Sequence, residues 1–256
     1  FMSADRPQVG LFVTCLVDMM RPSVGFASAK LLEQAGCTVD APAAQTCCGQ
    51  PAYNSGDRAT TRQMALSMIE AFEPFDYVVA PSGSCAGMLR KHYPGLFEDG
   101  SRDRERAEAI AAKTYELVSF LTDVMKMKSV DAALDQKATY HDSCSGYREL
   151  AIKAQPRKLL GTVKGLEVTE MKDAEICCGF GGTFCVKYPD ISNDMVTKKI
   201  ANIEASGADI LLAGDLGCLM NMAGKLKRVG SKVQVRHVAE VLAGSTDTPA
   251  IAERNK

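Results

Sequence analysis

The chain has 256 residues, 46% hydrophobic and 24% charged, which is enough to bury the core of one large domain or of two ordinary ones. A net charge of -1 and a pI near 6.4 offer no basic surface to a phosphate backbone, so we expect no nucleic-acid partner. The sequence contains neither an apolar run of about 18 residues nor a signal-peptide pattern, which predicts a cytoplasmic protein with no transmembrane segment and with reduced thiols.

Strand and helix patterns alternate through the first hundred residues. Short apolar runs predict strands, one of which ends at Cys15, and apolar residues at helical spacing predict the helices between them. The predicted elements, in chain order, are a strand at 9–14, a helix at 23–35, a strand at 37–41, a helix at 57–72 and a strand at 77–80. The order is therefore β-α-β-turn-α-β.

The second half repeats this order. Its predicted elements are a strand at 138–141, a helix at 156–160, a strand at 166–171, a helix at 192–205, a strand at 209–213 and a closing strand-helix segment at 233–243. Alternation of this kind predicts an α/β fold of two duplicated lobes, each a small parallel sheet flanked by helices. The predicted division is a first repeat at 8–100, a helical connector at 101–137 with helices at 102–112 and 115–127, and a second repeat at 138–243.

Eight of the ten cysteines form two sets with matching spacing. In the first half, Cys15 is followed by 31 residues, the pair Cys47-Cys48, 36 residues and Cys85. In the second half, Cys144 is followed by 32 residues, a second Cys-Cys pair, 39 residues and a last cysteine. Glycine follows both pairs, as Gly49 and Gly179. All of these cysteines fall on loops after predicted strands, where open parallel sheets bind ligands.

Four thiols in each half suit either zinc or an iron-sulfur cluster. Structural zinc sites usually take their ligands from Cys-x2-4-Cys motifs, and neither half contains one. Adjacent cysteines diverge too much to chelate one tetrahedral ion easily, but they can reach different irons of one cluster. The spacing therefore favours iron-sulfur over zinc, with zinc left open because soft thiolates bind either metal.

The doubled pattern, with Cys-Cys-Gly-Gln-Pro in the first half and Cys-Cys-Gly-Phe-Gly-Gly-Thr-Phe in the second, resembles the cysteine-rich (CCG) domain family. That family includes the cysteine-rich subunits of heterodisulfide reductases and the iron-sulfur subunits of glycolate- and glycerol-3-phosphate-oxidising systems. The resemblance covers residues 8–243. The length, the segment from Ser84 to Met88 and His92-Tyr93-Pro94 are most similar to its lactate-oxidising members.

This resemblance implies one iron-sulfur cluster, expected to be [4Fe-4S], in each repeat. The implied ligands are Cys15, Cys47, Cys48 and Cys85 for the first cluster and Cys144, Cys177, Cys178 and Cys218 for the second. It further implies an electron-transfer subunit of a complex that oxidises L-lactate, a 2-hydroxy acid, to pyruvate. Its partners would include a ferredoxin-like iron-sulfur subunit and could attach the protein to a membrane.

One departure from the heterodisulfide reductases concerns a fifth ligand. Those proteins end each motif in Cys-x-x-Cys and can hold a non-cubane cluster, whereas Ser82 and Asp215 occupy the corresponding positions here. Asp215 and Cys185 remain additional candidate donors in the second half. Two alternatives to electron transfer stay open, a disulfide reductase using a non-cubane cluster and a zinc-stabilised assembly subunit.

The other candidate residues have ordinary structural interpretations. Cys37 begins a predicted strand, and we expect it to be a buried core residue. His92 and His237 are expected to pack or to cap rather than to catalyse. His141, close to Cys144, is expected to orient the second cluster's loop, as groups behind metal ligands often do.

Overall fold

The computed structural model describes residues 6–253, which form two compact units, 6–127 and 128–253. Each unit contains a four-stranded, wholly parallel sheet with helices packed against it. The predicted α/β fold of two duplicated lobes is therefore confirmed.

The first unit follows the predicted alternation and adds a fourth strand. Its strands are β1 (Gln8–Leu11), β2 (Thr38–Asp40), β3 (Tyr77–Ala80) and β4 (Thr114–Glu116). Its helices are α1 (Cys15–Met20), α2 (Pro22–Gln34), α3 (Gln50–Asn54), α4 (Arg58–Phe72), α5 (Gly83–Gly87), α6 (Arg102–Lys113) and α7 (Leu117–Ser119), with π-helical turns at Met88–His92 and Phe120–Val124 and a 3-10 turn at Pro94–Leu96.

The strand order in this sheet is β2-β1-β3-β4, so β1 pairs with both β2 and β3. Helices cover both faces of a parallel sheet, and its central strands are consequently apolar and buried. Val78, Val79 and Ala80 of β3 are all fully buried. Phe12, the residue after β1, packs against Phe72 of α4. The two rings meet edge to face, with centroids 5.8 Å apart.

The second unit is built in the same order. Its strands are β5 (Ala133–Tyr140), β6 (Lys164–Val168), β7 (Ile210–Ala213) and β8 (Gln234–His237). Its helices are α8 (Cys144–Leu150), α9 (Ala154–Leu160), α10 (Phe184–Lys187), α11 (Pro189–Ala205), α12 (Leu216–Arg228) and α13 (Val238–Leu242).

The strand order β6-β5-β7-β8 matches that of the first sheet element for element. All four residues of β7 are buried. The adjoining core joins α11 and α12 through Ile200, Leu219 and Met222, and it includes Cys178 and Cys218. Two of the duplicated cysteines therefore belong to the hydrophobic core of this unit.

The segment 101–137, predicted as a helical connector, contains more than helices. Helix α6 matches the expected helix at 102–112, but the expected helix at 115–127 is replaced by β4, α7 and a π-helical turn. Strand β4 pairs with β3 through Thr114, Tyr115 and Glu116, and β5 already begins at Ala133. Residues 101–127 thus belong to the first unit, and 128–137 to the second.

Candidate metal centres

The duplicated cysteines all follow the carboxyl ends of strands. In the first unit, Cys15 follows β1, the pair Cys47-Cys48 follows β2, and Cys85 lies in α5 after β3. These three strands are neighbours, so their carboxyl-terminal loops meet at one edge of the sheet. The same holds for β5, β6 and β7 in the second unit. We call the two groups the first site (Cys15, Cys47, Cys48, Cys85) and the second site (Cys144, Cys177, Cys178, Cys218).

The sulfurs of the first site form a chain of contacts in sequence order. Cys15 and Cys48 hydrogen-bond to Cys47, and Cys48 also contacts Cys85. The bonds from Cys15 and Cys48, together with the Gly49 N–H, hold the pKa of Cys47 well below its ordinary value. The bond to Cys47 raises the pKa of Cys15. Cys47 is therefore disposed to be a thiolate, the form that binds metals.

The second site repeats this chain. Cys144 and Cys178 hydrogen-bond to Cys177, and Cys178 contacts Cys218. The Gly179 N–H lies 3.4 Å from the Cys177 sulfur. These bonds, led by that from Cys144, lower the pKa of Cys177. In both units, then, the first cysteine of the pair, Cys47 or Cys177, is the one whose pKa its neighbours lower.

Glycine shapes the turn after each pair. Gly49 has φ of 81° and Gly179 has φ of 85°, a left-handed conformation that residues with a Cβ adopt only under strain. A Cβ at Gly179 would also lie 2.7 Å from the carbonyl oxygen of Ser192, whereas the nearest atom to one at Gly49 would be the Thr61 methyl at 3.5 Å. The left-handed turn is thus common to both sites. Only in the second site does the backbone of α11, at Ser192, come within 3 Å of the position that a Cβ would occupy.

In each unit a side chain donates a hydrogen bond to the backbone carbonyl of the second cysteine in the Cys-Cys pair. Tyr93 Oη donates to the carbonyl oxygen of Cys48 at 3.0 Å, and Asn221 Nδ2 donates to that of Cys178 at 2.8 Å. In the first unit the Gln45 side chain also ties the loops together, because its Oε1 accepts from the Val13 N–H at 2.8 Å. The thiols therefore sit on loops that are held by hydrogen bonds.

A charged network lies behind Cys144 of the second site. Arg157 makes a two-bond contact with the fully buried carboxylate of Asp142, at 2.7 and 2.9 Å, and another with Glu170, at 2.6 and 2.8 Å. Asp142 lies two residues before Cys144. Paired bonds of this kind fix geometry as well as charge, so Arg157 anchors the loop that delivers Cys144.

A second polar group lies deeper in this unit. Lys199 of α11 is 2% exposed and donates to the backbone carbonyls of Asp173 and Ala174. His141 is completely buried, and its Nδ1 lies 3.1 Å from the same Ala174 oxygen. Burial, followed by the charge of Lys199, lowers the pKa of His141 to about 3, so its ring is neutral.

The donor atoms fit a metal or an iron-sulfur group, because four thiols lie at each sheet edge with one held as a thiolate. Among residues 6–253, one group of three donors has all its atoms within 4.8 Å of one another, and it consists of His141, Cys178 and Cys218. The sulfurs of the first site are strung out along a chain rather than gathered around one point.

Comparison with known proteins agrees with this architecture. The cysteine-rich domain family CCG matches residues 9–90 and 138–223, one stretch in each unit. The chain belongs to the cysteine-rich (CCG) domain family. Its similar relatives in the family include the lactate utilization protein A of an Exiguobacterium species (52% identical, covering 92% of this chain and 97% of the relative) and that of Bacillus subtilis (49%, covering 92% and 98%).

A solved structure supports the fold of this CCG protein. A hypothetical protein from Helicobacter pylori superposes with a TM-score of 0.60 at 11% identity, covering all of this chain and 52% of the other. At that identity the similarity concerns the fold alone.

Three further residues, the candidate extra metal ligands Asp215 and Cys185 and the equivalent position Ser82, have different surroundings in the structure. Asp215 is buried before α12, and its charge raises the pKa of both Cys144 and Cys218, which places it beside the second site. Ser82 instead accepts a hydrogen bond from the Cys85 N–H at 3.3 Å, as the N-cap of α5. Cys185 donates to the Gly182 carbonyl at 3.3 Å within its own loop.

The remaining predictions concern residues outside the two CCG sites. Cys37 is a buried core residue, as predicted. His237 caps α13, and the ring of His92 packs 5.0 Å from that of Tyr53. Sequence reasoning missed Lys199, because a lysine within an amphipathic helix is normally exposed, and it missed the carbonyl contact of Tyr93.

The first site opens into a surface pocket. Cys15 and Cys47 share its lining with Asp18, Met19 and Gln45, and its volume is about 360 Å³. In the part of the chain that the structure describes, none of the helices combines the length and apolarity needed to cross a bilayer.

Proposed function

We propose that this protein is an iron-sulfur electron-transfer subunit of a complex that oxidises L-lactate to pyruvate, with one [4Fe-4S] cluster in each unit. The observation that carries the proposal is the doubled chain of four sulfurs. Two separate sheets place four thiols at the same strand ends, in the same order of contact, with a left-handed glycine at the same place.

The cysteines of the first and second sites are the proposed ligands. The lowered pKa of Cys47 and of Cys177 favours the thiolate form at these two residues, and the other cysteines of each site lose their protons when metal binds. The N–H of Gly179 is placed to donate to a cysteine sulfur. Such N–H donors stabilise the reduced, more negative state of a thiolate-bound centre. A bound cluster of this kind supplies one-electron transfer.

The substrate assignment rests on the relatives, which are named for lactate utilisation and match this chain almost end to end. We propose that a ferredoxin-like iron-sulfur subunit exchanges electrons with these clusters. Large apolar side chains are exposed shortly after cysteines of both sites in the sequence, as expected for a protein interface. They include Met19 and Met20 after Cys15 and Val186, Tyr188 and Ile191 after the second pair.

The proposal can be tested on protein purified anaerobically together with its co-purifying subunits. L-lactate is expected to reduce the clusters, giving an EPR signal, whereas D-lactate at equal concentration serves as the stereochemical control. Clusters that dithionite reduces but L-lactate does not would contradict the lactate assignment. Protein that contains zinc and no iron would contradict electron transfer altogether.

The interface can be tested separately with a matched pair of substitutions. Val186→Ser removes an apolar side chain that is 79% exposed beside the second site, and Val229→Ser removes one that is 54% exposed after the far end of α12. We expect only Val186→Ser to reduce the recovery of partner subunits, by several-fold. Equal recovery for the two variants would show that this surface is not part of the interface.

A further inference from the structure

His141 marks the clearest chemical difference between the two sites. It stands three residues before Cys144, at the end of β5, and Phe12 stands three residues before Cys15. Their backbones are equivalent, since the His141 N–H bonds to Leu212 at 2.9 Å and the Phe12 N–H bonds to Val79 at 2.8 Å. One sheet therefore places an imidazole where the other places a phenyl ring.

The surroundings of His141 fix its tautomer. The Ala174 carbonyl oxygen, 3.1 Å from Nδ1, can only accept a hydrogen bond, so Nδ1 carries the proton. The same oxygen also accepts from the Asp142 N–H at 3.1 Å and from Lys199 at 3.3 Å, which holds it in place. In the neutral ring, Nε2 therefore has a free lone pair.

The ring of His141 lies at the second site. Nε2 is buried and has no hydrogen-bond partner among the described residues. A ring nitrogen of His141 and the sulfurs of Cys178 and Cys218 all lie within 4.8 Å of one another, and Nδ1 is already bonded to the Ala174 carbonyl. Buried polar atoms are nearly always paired, so an unpaired Nε2 on a ring beside two thiols calls for a partner.

We propose that His141 binds the metal centre of the second site through Nε2, as a fifth donor that displaces none of the four cysteines, which makes that site a mixed sulfur and nitrogen site while the first remains all sulfur. An N–H bonded to a backbone carbonyl on the far side of the ring is the usual support for a metal-binding histidine. The Nε2–metal bond forms without release of a proton from the ring, because Nε2 carries none. The inference rests on the proposed function, in that the second site must bind metal.

The test is pulsed EPR on the full chain, reconstituted anaerobically with iron and sulfide and produced with ¹⁵N-labelled histidine. A directly bound nitrogen gives a strong hyperfine coupling, whereas a distant ring gives only a weak one. Three variants assign the signal. His141→Phe reproduces the residue of the first site, His141→Cys offers a sulfur donor at the same position, and His92→Gln removes the histidine of the first unit.

We expect a strong nitrogen coupling in the wild type and in His92→Gln, and its loss in both His141 variants. His141→Cys should recover iron that His141→Phe loses, which a purely structural role would not explain. Clusters in both units with only weak nitrogen coupling in the wild type would overturn the role of His141 alone, and that result needs no variant to fold. Failure of either unit to take up iron would overturn the proposed function as well.

Discussion

The phenol of Tyr93 donates a hydrogen bond to the carbonyl oxygen of Cys48 across 45 residues of sequence, at 3.0 Å. Both partners are buried, since Tyr93 is fully inaccessible and Cys48 is 3% exposed. A buried carbonyl beside the thiols thus has its partner in the segment after α5, which ties the Cys-Cys-Gly turn of the first site to the rest of the unit.

Tyr93→Phe is expected to destabilise the first unit by about 1–3 kcal/mol, because the substitution leaves this buried carbonyl unpaired. Tyr77→Phe is the control, since the Tyr77 ring packs against Tyr115 and Phe120. Urea unfolding of the metal-free, reduced protein measures both. Equal, small effects of the two substitutions would show that the Tyr93 contact is unimportant.

The two turn glycines provide a matched pair. Gly49→Ala should cost about 1–2 kcal/mol, the penalty for placing a Cβ in a left-handed conformation. Gly179→Ala should cost more, because its Cβ would also meet the Ser192 carbonyl at 2.7 Å. Gly36→Ala, at φ of 92° with open space around it, gives the strain alone. Thermal unfolding of the three variants orders them, and a Gly179 variant no worse than the Gly36 variant would contradict the close approach.

Arg157→Met should be strongly destabilising, by about 3–5 kcal/mol, because it leaves the buried carboxylate of Asp142 without its partner. Glu170→Gln removes the exposed partner of the same arginine and should cost only about 0–1 kcal/mol. The comparison, made by denaturant unfolding at pH 7, separates the buried pair from the exposed one. Similar losses for the two variants would contradict this division.

The same ion pair gives a pH dependence. Arg157 lowers the pKa of Glu170 in the folded protein, so Glu170 stabilises the fold above its unfolded pKa of about 4.3. This contribution is lost as the pH falls through the folded pKa. The difference in unfolding midpoint between the wild type and Glu170→Gln should therefore shrink as the pH falls from about 6 to about 3, a range that begins above the unfolded pKa. A difference that stays constant would exclude this linkage.

Much of the fold could be predicted because its signals are local and repeated. The apolar runs before Cys15 and Cys85 end near the observed strands, and the duplicated spacing correctly predicted equivalent loops in two lobes. Strand β4 could not be predicted, since Thr114-Tyr115-Glu116 is three residues long and becomes a strand only by pairing with β3.

The surroundings of the sites depend on contacts that are distant in sequence. Lys199 lies 25 residues from Ala174 and Arg157 lies 15 residues from Asp142, and no spacing pattern marks either pair. The sequence places His141 near Cys144, but only the folded loops show a ring nitrogen of His141 within 4.8 Å of the sulfurs of Cys178 and Cys218. Metal-binding candidates are thus predictable from spacing, whereas the groups that distinguish the two sites are not.

If each unit holds its own iron-sulfur cluster, the iron and sulfide content of anaerobically purified variants should fall in halves. The wild type should hold about eight irons per chain, the content of two four-iron clusters. Cys48→Ala and Cys178→Ala should each lose about half of the iron, the double variant nearly all of it, and the core substitution Cys37→Ala none. Iron that is absent from the wild type, or unchanged in both Cys48→Ala and Cys178→Ala, would contradict the account.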